Sequence, residues 1–157
     1  MGIKVTCHNY ADASIKAATD IIREELLEEL RRFGSECEER IRNRGAEESW
    51  YDHTGTLRSS VGYAVYDKAR VYAQSQFETV LSGSAGSEAG RQMVSQLATQ
   101  YADSYALAVF AAAPYADAVE AIDGKNVLES ARIWADNELQ RRLNAAKDRA
   151  IRRINAL

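Results

Sequence analysis

The chain has 157 residues, of which 46 % are hydrophobic and 27 % charged, with one Pro, nine Gly and a formal net charge of −3. These values are those of an ordinary globular domain and exclude collagen-like, Pro-rich and wholly disordered chains. No apolar run approaches the roughly 20 residues that cross a bilayer, the opening MGIKVTCHNYADAS lacks a signal-peptide core, Gly2 lacks the context of a lipid anchor, and the acidic balance gives no reason to expect nucleic-acid binding.

The expectation is one soluble domain spanning 1–157, kept in a reducing compartment. Cys7 and Cys37 have neither metal nor disulfide-framework spacing. Cys7-His8 is at most a fragment of a metal site, since His53 is the one other histidine. Charge is unevenly distributed. Residues 1–44 carry eight basic and nine acidic side chains, residues 45–129 five and eleven, and residues 130–157 seven and three. Opposite patches of this kind suit head-to-tail self-association, or are simply solvated helix faces.

In chain order, the first predicted element is a long helix over 12–44. Ile15, Ala18, Ile22, Leu26, Leu30, Phe33, Cys37 and Ile41 recur at steps of three and four. Asp12 or Ser14 serves as N-cap, Gly34 is a possible kink, and Asn43-Arg44-Gly45 is a stop signal. Residues 54–77 read as a short turn or helix and a β-hairpin, with Val61, Tyr63, Val65, Val71, Tyr72 and Phe77 supplying strand character and Asp67-Lys68 the turn. Residues 78–103 read as a flexible Ser82–Ser87 loop and a helix from Ser87 carrying Met93, Leu97 and Tyr101. No Lys-Ser/Thr pair closes that loop, so it is not a phosphate loop. Residues 104–122 read as a buried strand ending at Pro114 and a connection.

The last helix is predicted over 126–155, with Asn126 as its cap. Its stripe is Leu128, Ala131, Ala135, Leu139, Leu143, Ala146, Ala150 and Ile154, widened by Trp134 and Ile151. Arg149, Arg152 and Arg153 complement the helix dipole at its end. The fold class is therefore α+β: long N- and C-terminal helices packed on a small, mainly antiparallel sheet of about three to four strands, with an inserted short helix. A sheet that small leaves edges open to pairing with a neighbour.

Candidate chemistry is sparse. Asp52-His53-Thr54-Gly55-Thr56 is polar and close in sequence to Ser59 and Ser60, but no nucleophile-elbow pattern surrounds the serines. Turn and helix-cap chemistry, with Thr54 or Thr56 ahead of Leu57, explains the cluster more simply. Tyr101, Tyr105 and Tyr115 suit either an interaction surface or the wet border of a thin sheet. Residue types and spacing indicate no catalytic residue, cofactor or metal.

The segment Thr54-Gly55-Thr56-Leu57-Arg58-Ser59-Ser60-Val61 resembles the "TG-x-L-R-x-S-I" signature of the gene-product-ten-like tail-component family of long-tailed bacteriophages. Ala113-Pro114-Tyr115-Ala116-Asp117-Ala118-Val119-Glu120 is similar to that family's "P-Y-A-x-x-V-E" feature, and Val127-Leu128-Glu129-Ser130-Ala131 to the opening of its last helix. The resemblance covers about residues 12–145. The chain departs from it at Ala121-Ile122-Asp123-Gly124 and in an insertion over 78–103.

The resemblance implies a bacteriophage or prophage structural protein, a tail-component or neck protein at the head–tail junction. Such a protein is assembled in the host cytoplasm into the virion, forms a homo-oligomeric ring, joins neighbouring connector or tail proteins, and has no enzymatic activity. It implies structural or interface roles for Thr54, Gly55, Leu57, Arg58, Ser59, Ser60, Pro114, Tyr115, Ala116, Val119 and Glu120. In that picture Gly55 bends the chain, Leu57 anchors in the core, Thr54 and the serines satisfy local backbone groups, and Arg58 pairs with an acidic neighbour. The rivals are a cellular helical interaction module that binds a partner helix, and a small hydrolase using His53 with Ser59 or Ser60.

Overall fold

A computed structural model describes residues 10–44, 50–122 and 125–157. The elements are α1 (Tyr10–Arg42), α2 (Thr56–Ser60), β1 (Val61–Asp67), β2 (Arg70–Gln74), α3 (Ser84–Ala98), β3 (Tyr105–Ala111), α4 (Ala116–Glu120) and α5 (Glu129–Ile154). The three strands form one antiparallel sheet in the order β2-β1-β3. The fold is the expected α+β arrangement of two long helices on a small sheet with an inserted helix. The Cys7-His8 pair, Gly45 and Asp123-Gly124 lie outside the described residues.

β1 is the centre of the sheet and is buried on both faces, Val61 through Tyr66 all being covered. Its alternation sends Tyr63 and Val65 toward α1, against Leu27 and Leu30, and Ala64 and Tyr66 toward α3, against Phe77 and Val94. The Tyr66 hydroxyl donates to the Val94 carbonyl at 2.8 Å, and its ring stacks on Tyr101 at 5.3 Å. Burial pushes that phenol up to about 12. Fully burying each such side chain is worth about 1.5–3 kcal/mol, so the inserted segment is structural: α3 covers the second face of the sheet. The hairpin turns at Lys68, whose φ is 58°, and β2 carries a bulge where Tyr66 pairs with Val71 after Val65 pairs with Ala73.

Three expectations are corrected. α1 runs unbroken through Gly34, because the missing side chain lets the helix close onto the Tyr63 ring; a Cβ there would overlap it. The amphipathic stripe of α1 is buried only in its second half: Leu30, Phe33, Cys37 and Ile41 are covered, whereas Ile15 and Ile22 are 64 % and 53 % exposed. The helix buries Ile21 and Leu27 instead, since it packs on both the sheet and α5. Third, Ser84–Ser87 is not a loop but the first turn of α3. Gly86 lies against the backbone of Thr56 with no room for a Cβ, and Ser87 is buried with its hydroxyl 2.8 Å from that of Thr79. Small residues there permit a close helix–helix approach rather than flexibility.

α5 lies antiparallel on α1, held by a ladder of ion pairs. Arg142 reaches Glu29 and Glu36, Arg149 reaches Glu25 and Glu29, and Arg153 reaches Glu24 and Glu25. Arg40 stacks over Trp134 at 3.9 Å, and Trp134 meets Phe33 at 5.3 Å. The basic crowding at the end of α5 is therefore more than dipole complement: Arg149 and Arg153 neutralise acids of α1, while Arg152 stays exposed. Arginines of the basic last segment thus meet acids of α1 within the molecule, while the acidic excess of residues 45–129 lies outside this ladder.

The Glu25 carboxyl is held below the ordinary range, first by hydrogen bonds from Arg149 and Arg153. A carboxyl depressed in the folded state stabilises it above the unfolded value of about 4.3, and that contribution is lost as pH falls through the folded value. Glu25→Gln should therefore lower the melting temperature at pH 7 and lose less on acidification toward pH 3 than the parent, as read by thermal melts across the range.

Candidate functional site

The residues that carry the resemblance converge on one junction, where the end of α1, α2, the start of β1, α4 and the start of α5 meet. Asp52 organises its first turn. One carboxylate oxygen accepts the Gly55 N–H at 3.0 Å and the other the Arg58 N–H at 2.8 Å. Gly55 adopts φ 76° under the Val80 carbonyl, where a side chain would be both strained and overlapped. Thr54 Oγ1 donates to Thr56 Oγ1 at 2.8 Å and accepts the Thr56 N–H at 3.3 Å. The cap of α2 is thus built by Asp52 around Gly55, not by a threonine alone.

Among the described residues Arg58 pairs with no acid. Its guanidinium donates to the Arg42 carbonyl and, at 3.0 Å, to the Arg44 carbonyl, and lies 5.7 Å over the Trp50 ring. It thereby satisfies carbonyls left open at the end of α1. Ser59 and Ser60 are fully buried. Ser59 Oγ accepts the Val80 N–H at 2.8 Å; Ser60 Oγ donates to the Leu57 carbonyl at 2.7 Å and accepts the Ala113 N–H at 3.0 Å. These serines join segments distant in sequence, a wider role than local satisfaction.

Leu57 is 1 % exposed and packs with Ile41, Trp50, Val61, Ala113, Ala116 and Val127, with Val119 against them. Pro114 and Tyr115 are exposed at the turn into α4. Glu120 has the most specific role: its carboxylate accepts the N–H groups of Val127, Leu128 and Glu129, at 2.5, 2.8 and 3.0 Å. A negative side chain thus caps the start of α5, where the helix dipole favours it. Asn126, the expected cap, instead accepts from Arg44.

Neither serine of this junction is exposed as a nucleophile. His53 is exposed and meets the Tyr51 ring edge-on at 4.4 Å, while both serine hydroxyls are engaged with backbone. The hydrolase reading of His53 with Ser59 or Ser60 is thereby displaced. Among the described residues no group of three or more His, Cys, Asp or Glu is placed to hold a metal ion. Cys37 is 2 % exposed, and burial raises its thiol to about 11, away from thiolate chemistry.

The feature that periodicity did not reveal is a cleft of about 510 Å³ between β3 and α5, floored by α1. Leu26, Leu30 and Phe33 form the floor, Tyr105, Leu107 and Val109 one wall, and Ala131, Ala135, Leu139 and Leu143 the other. It stays open because α5 presents alanines where larger residues would reach the sheet. Leu139 and Tyr105 remain 39 % and 41 % exposed at its rim. The run of alanines in the α5 stripe was the one sequence signal of it.

Fold and junction together define an α+β protein whose shared polar residues fasten elements to one another and whose open feature is an apolar surface. Against family models, curated proteins and solved structures the chain finds no match. Among the described residues no helix is long and apolar enough to cross a membrane.

Two substitutions test the junction by equilibrium denaturation. Gly55→Ala should destabilise by about 2 kcal/mol or more, from strain at positive φ plus overlap with Val80. Glu120→Gln should cost about 1–2 kcal/mol, because a neutral amide keeps fewer of the three N–H groups satisfied and loses the charge at the helix start.

Proposed function

We propose that the chain is a structural protein of a bacteriophage or prophage virion. It is a tail-component or neck protein of the head–tail junction that joins copies of itself, as a ring, and neighbouring connector or tail proteins. The observation that carries this reading is the junction. Two segments that resemble one family's signatures, 53 residues apart, are bonded directly through Ser60 and the Ala113 N–H. They meet where the β1–β3 ladder begins, Val61 opposite Ala111, so both segments sit at one end of the sheet beside the start of α5.

The chemistry of the junction agrees with a non-enzymatic role, since its polar side chains are engaged in holding the backbone. What the protein presents to partners is surface: the cleft, the free sheet edges and the exposed Tyr105 and Tyr115. A cellular helical interaction module would use the same cleft for a partner helix, but it leaves the paired motifs unexplained.

The test is localisation. Particles released by a producing culture are purified and probed with gold-labelled antibody against the chain, with the cell fraction as control. Label confined to the head–tail junction or tail, at a fixed number of copies per particle, is the expected result. Particles that lack the chain while it persists in the cell fraction would overturn the reading in favour of the cellular module.

A further inference from the structure

We infer that β3 is a self-complementary edge that pairs with β3 of a second copy, antiparallel about a two-fold axis at Ala108. The inference stands apart from the virion reading and would hold for a cellular protein as well. It begins with backbone accounting. β3 pairs with β1 in the register Val61↔Ala111 to Asp67↔Tyr105. The flanking bonds from the Lys68 N–H to the Ser104 carbonyl and from the Ala112 N–H to the Ser60 carbonyl fix which residues point inward. Even-numbered residues of β3 direct N–H and C=O at β1, so Tyr105, Leu107, Val109 and Ala111 direct theirs outward. Among the described residues no hydrogen bond satisfies these outward groups.

The two edges of the sheet differ. β2 is blunted by Lys68 and Arg70 at its turn and by the bulge at Val65/Tyr66, devices that discourage pairing. β3, YALAVFA, has no charge, no proline and no bulge along seven residues. Such an edge is a template for another strand.

A second β3 fits this edge in particular. In antiparallel register about Ala108, Tyr105 lies opposite the second copy's Ala111 and Leu107 opposite its Val109. All four are outward residues, so both sets of free N–H and C=O groups are satisfied together. Across the other face Ala106 meets Phe110. The two aromatic side chains then face alanines, Leu107 faces the β-branched Val109, and no like charges oppose. The parity also keeps Tyr105, Leu107 and Val109 of the second strand on the α1 side, where they enter the cleft beside Leu139 and Leu143. One pairing thus uses the free edge and the open cleft at once.

The strip is about 24 Å long. With the cleft walls it buries on the order of 1,000 Å² in total, the low end for specific association, so the dimer should populate at micromolar to millimolar concentration.

Residue-resolved amide hydrogen exchange on the intact chain, dilute and concentrated, tests this. The Leu107 and Val109 amides should exchange at least tenfold more slowly when concentrated, while the Ala106 and Ala108 amides are protected in both. In a Cys7→Ser background, Ala108→Cys should cross-link two copies on oxidation, since a pair on the axis stands about 4.5 Å apart at Cα. Ala106→Cys should not, as its counterpart there is Phe110. A chain monomeric at millimolar concentration overturns the inference, and so does a dimer whose Leu107 and Val109 amides exchange freely, which would mean a helix in the cleft. Protection without the Ala108→Cys cross-link overturns the two-fold register and points to the β2 edge of the neighbour.

Discussion

A carboxylate between two helices sets the register of this fold. Glu29 is 2 % exposed on α1, and a buried charge is tolerable only when paired and hydrogen-bonded. Arg142 and Arg149 supply the pairing from α5, spaced two turns apart so that both bracket Glu29. Once they are placed, Arg153 falls on Glu24 and Glu25, Trp134 falls on Phe33, and α5 has no freedom to slide or rotate. Its alanines then face the sheet, and the cleft is the space that this orientation leaves open. The apolar surface of the molecule is a consequence of where its charges had to go.

The second constraint acts at the opposite end of the helix pair. α1 stops and α5 starts beside the same cluster of side chains, and helix ends carry backbone groups that need partners when buried. Arg58 answers the carbonyls of α1 and Glu120 the N–H groups of α5, while Asp52, Ser59 and Ser60 tie α2, the Val80 backbone and the end of β3 between them. Conserving shape at this junction needs particular residue types, because each donates or accepts in a fixed geometry.

These constraints also redirect the argument about association. Segment-wise charge suggested an acidic middle and a basic end; the arginines of α5 that meet α1 are paired there, mostly on partly shielded faces, and the acids of 45–129 take no part in that ladder. What remains unsatisfied is of another kind: backbone groups on β3 and the apolar walls beside it.

Much of this architecture was legible in one dimension. Steps of three and four located α1 and α5 to within two or three residues, alternation with β-branched and aromatic residues located the hairpin, and Pro114 marked the close of β3. These are local consequences of helix and strand periods, which a chain carries wherever its partners lie. Which half of a stripe is covered is not local. Ile15 and Ile22 read as core and are exposed, Ile22 at the rim of an apolar groove that it shares with Ile151 and Ile154 of α5; Ser84–Ser87 read as a loop and is a helix because glycine allows α2 and α3 to touch. Likewise Arg58 seeks carbonyls rather than an acid, and Glu120 caps a helix seven to nine residues on. By itself the sequence determined the elements, their order and the α+β class, since periodicity and turn chemistry are written residue by residue. Tertiary structure alone decided the charge ladder, the junction, the cleft and the open edge, because each depends on groups brought together from distant positions.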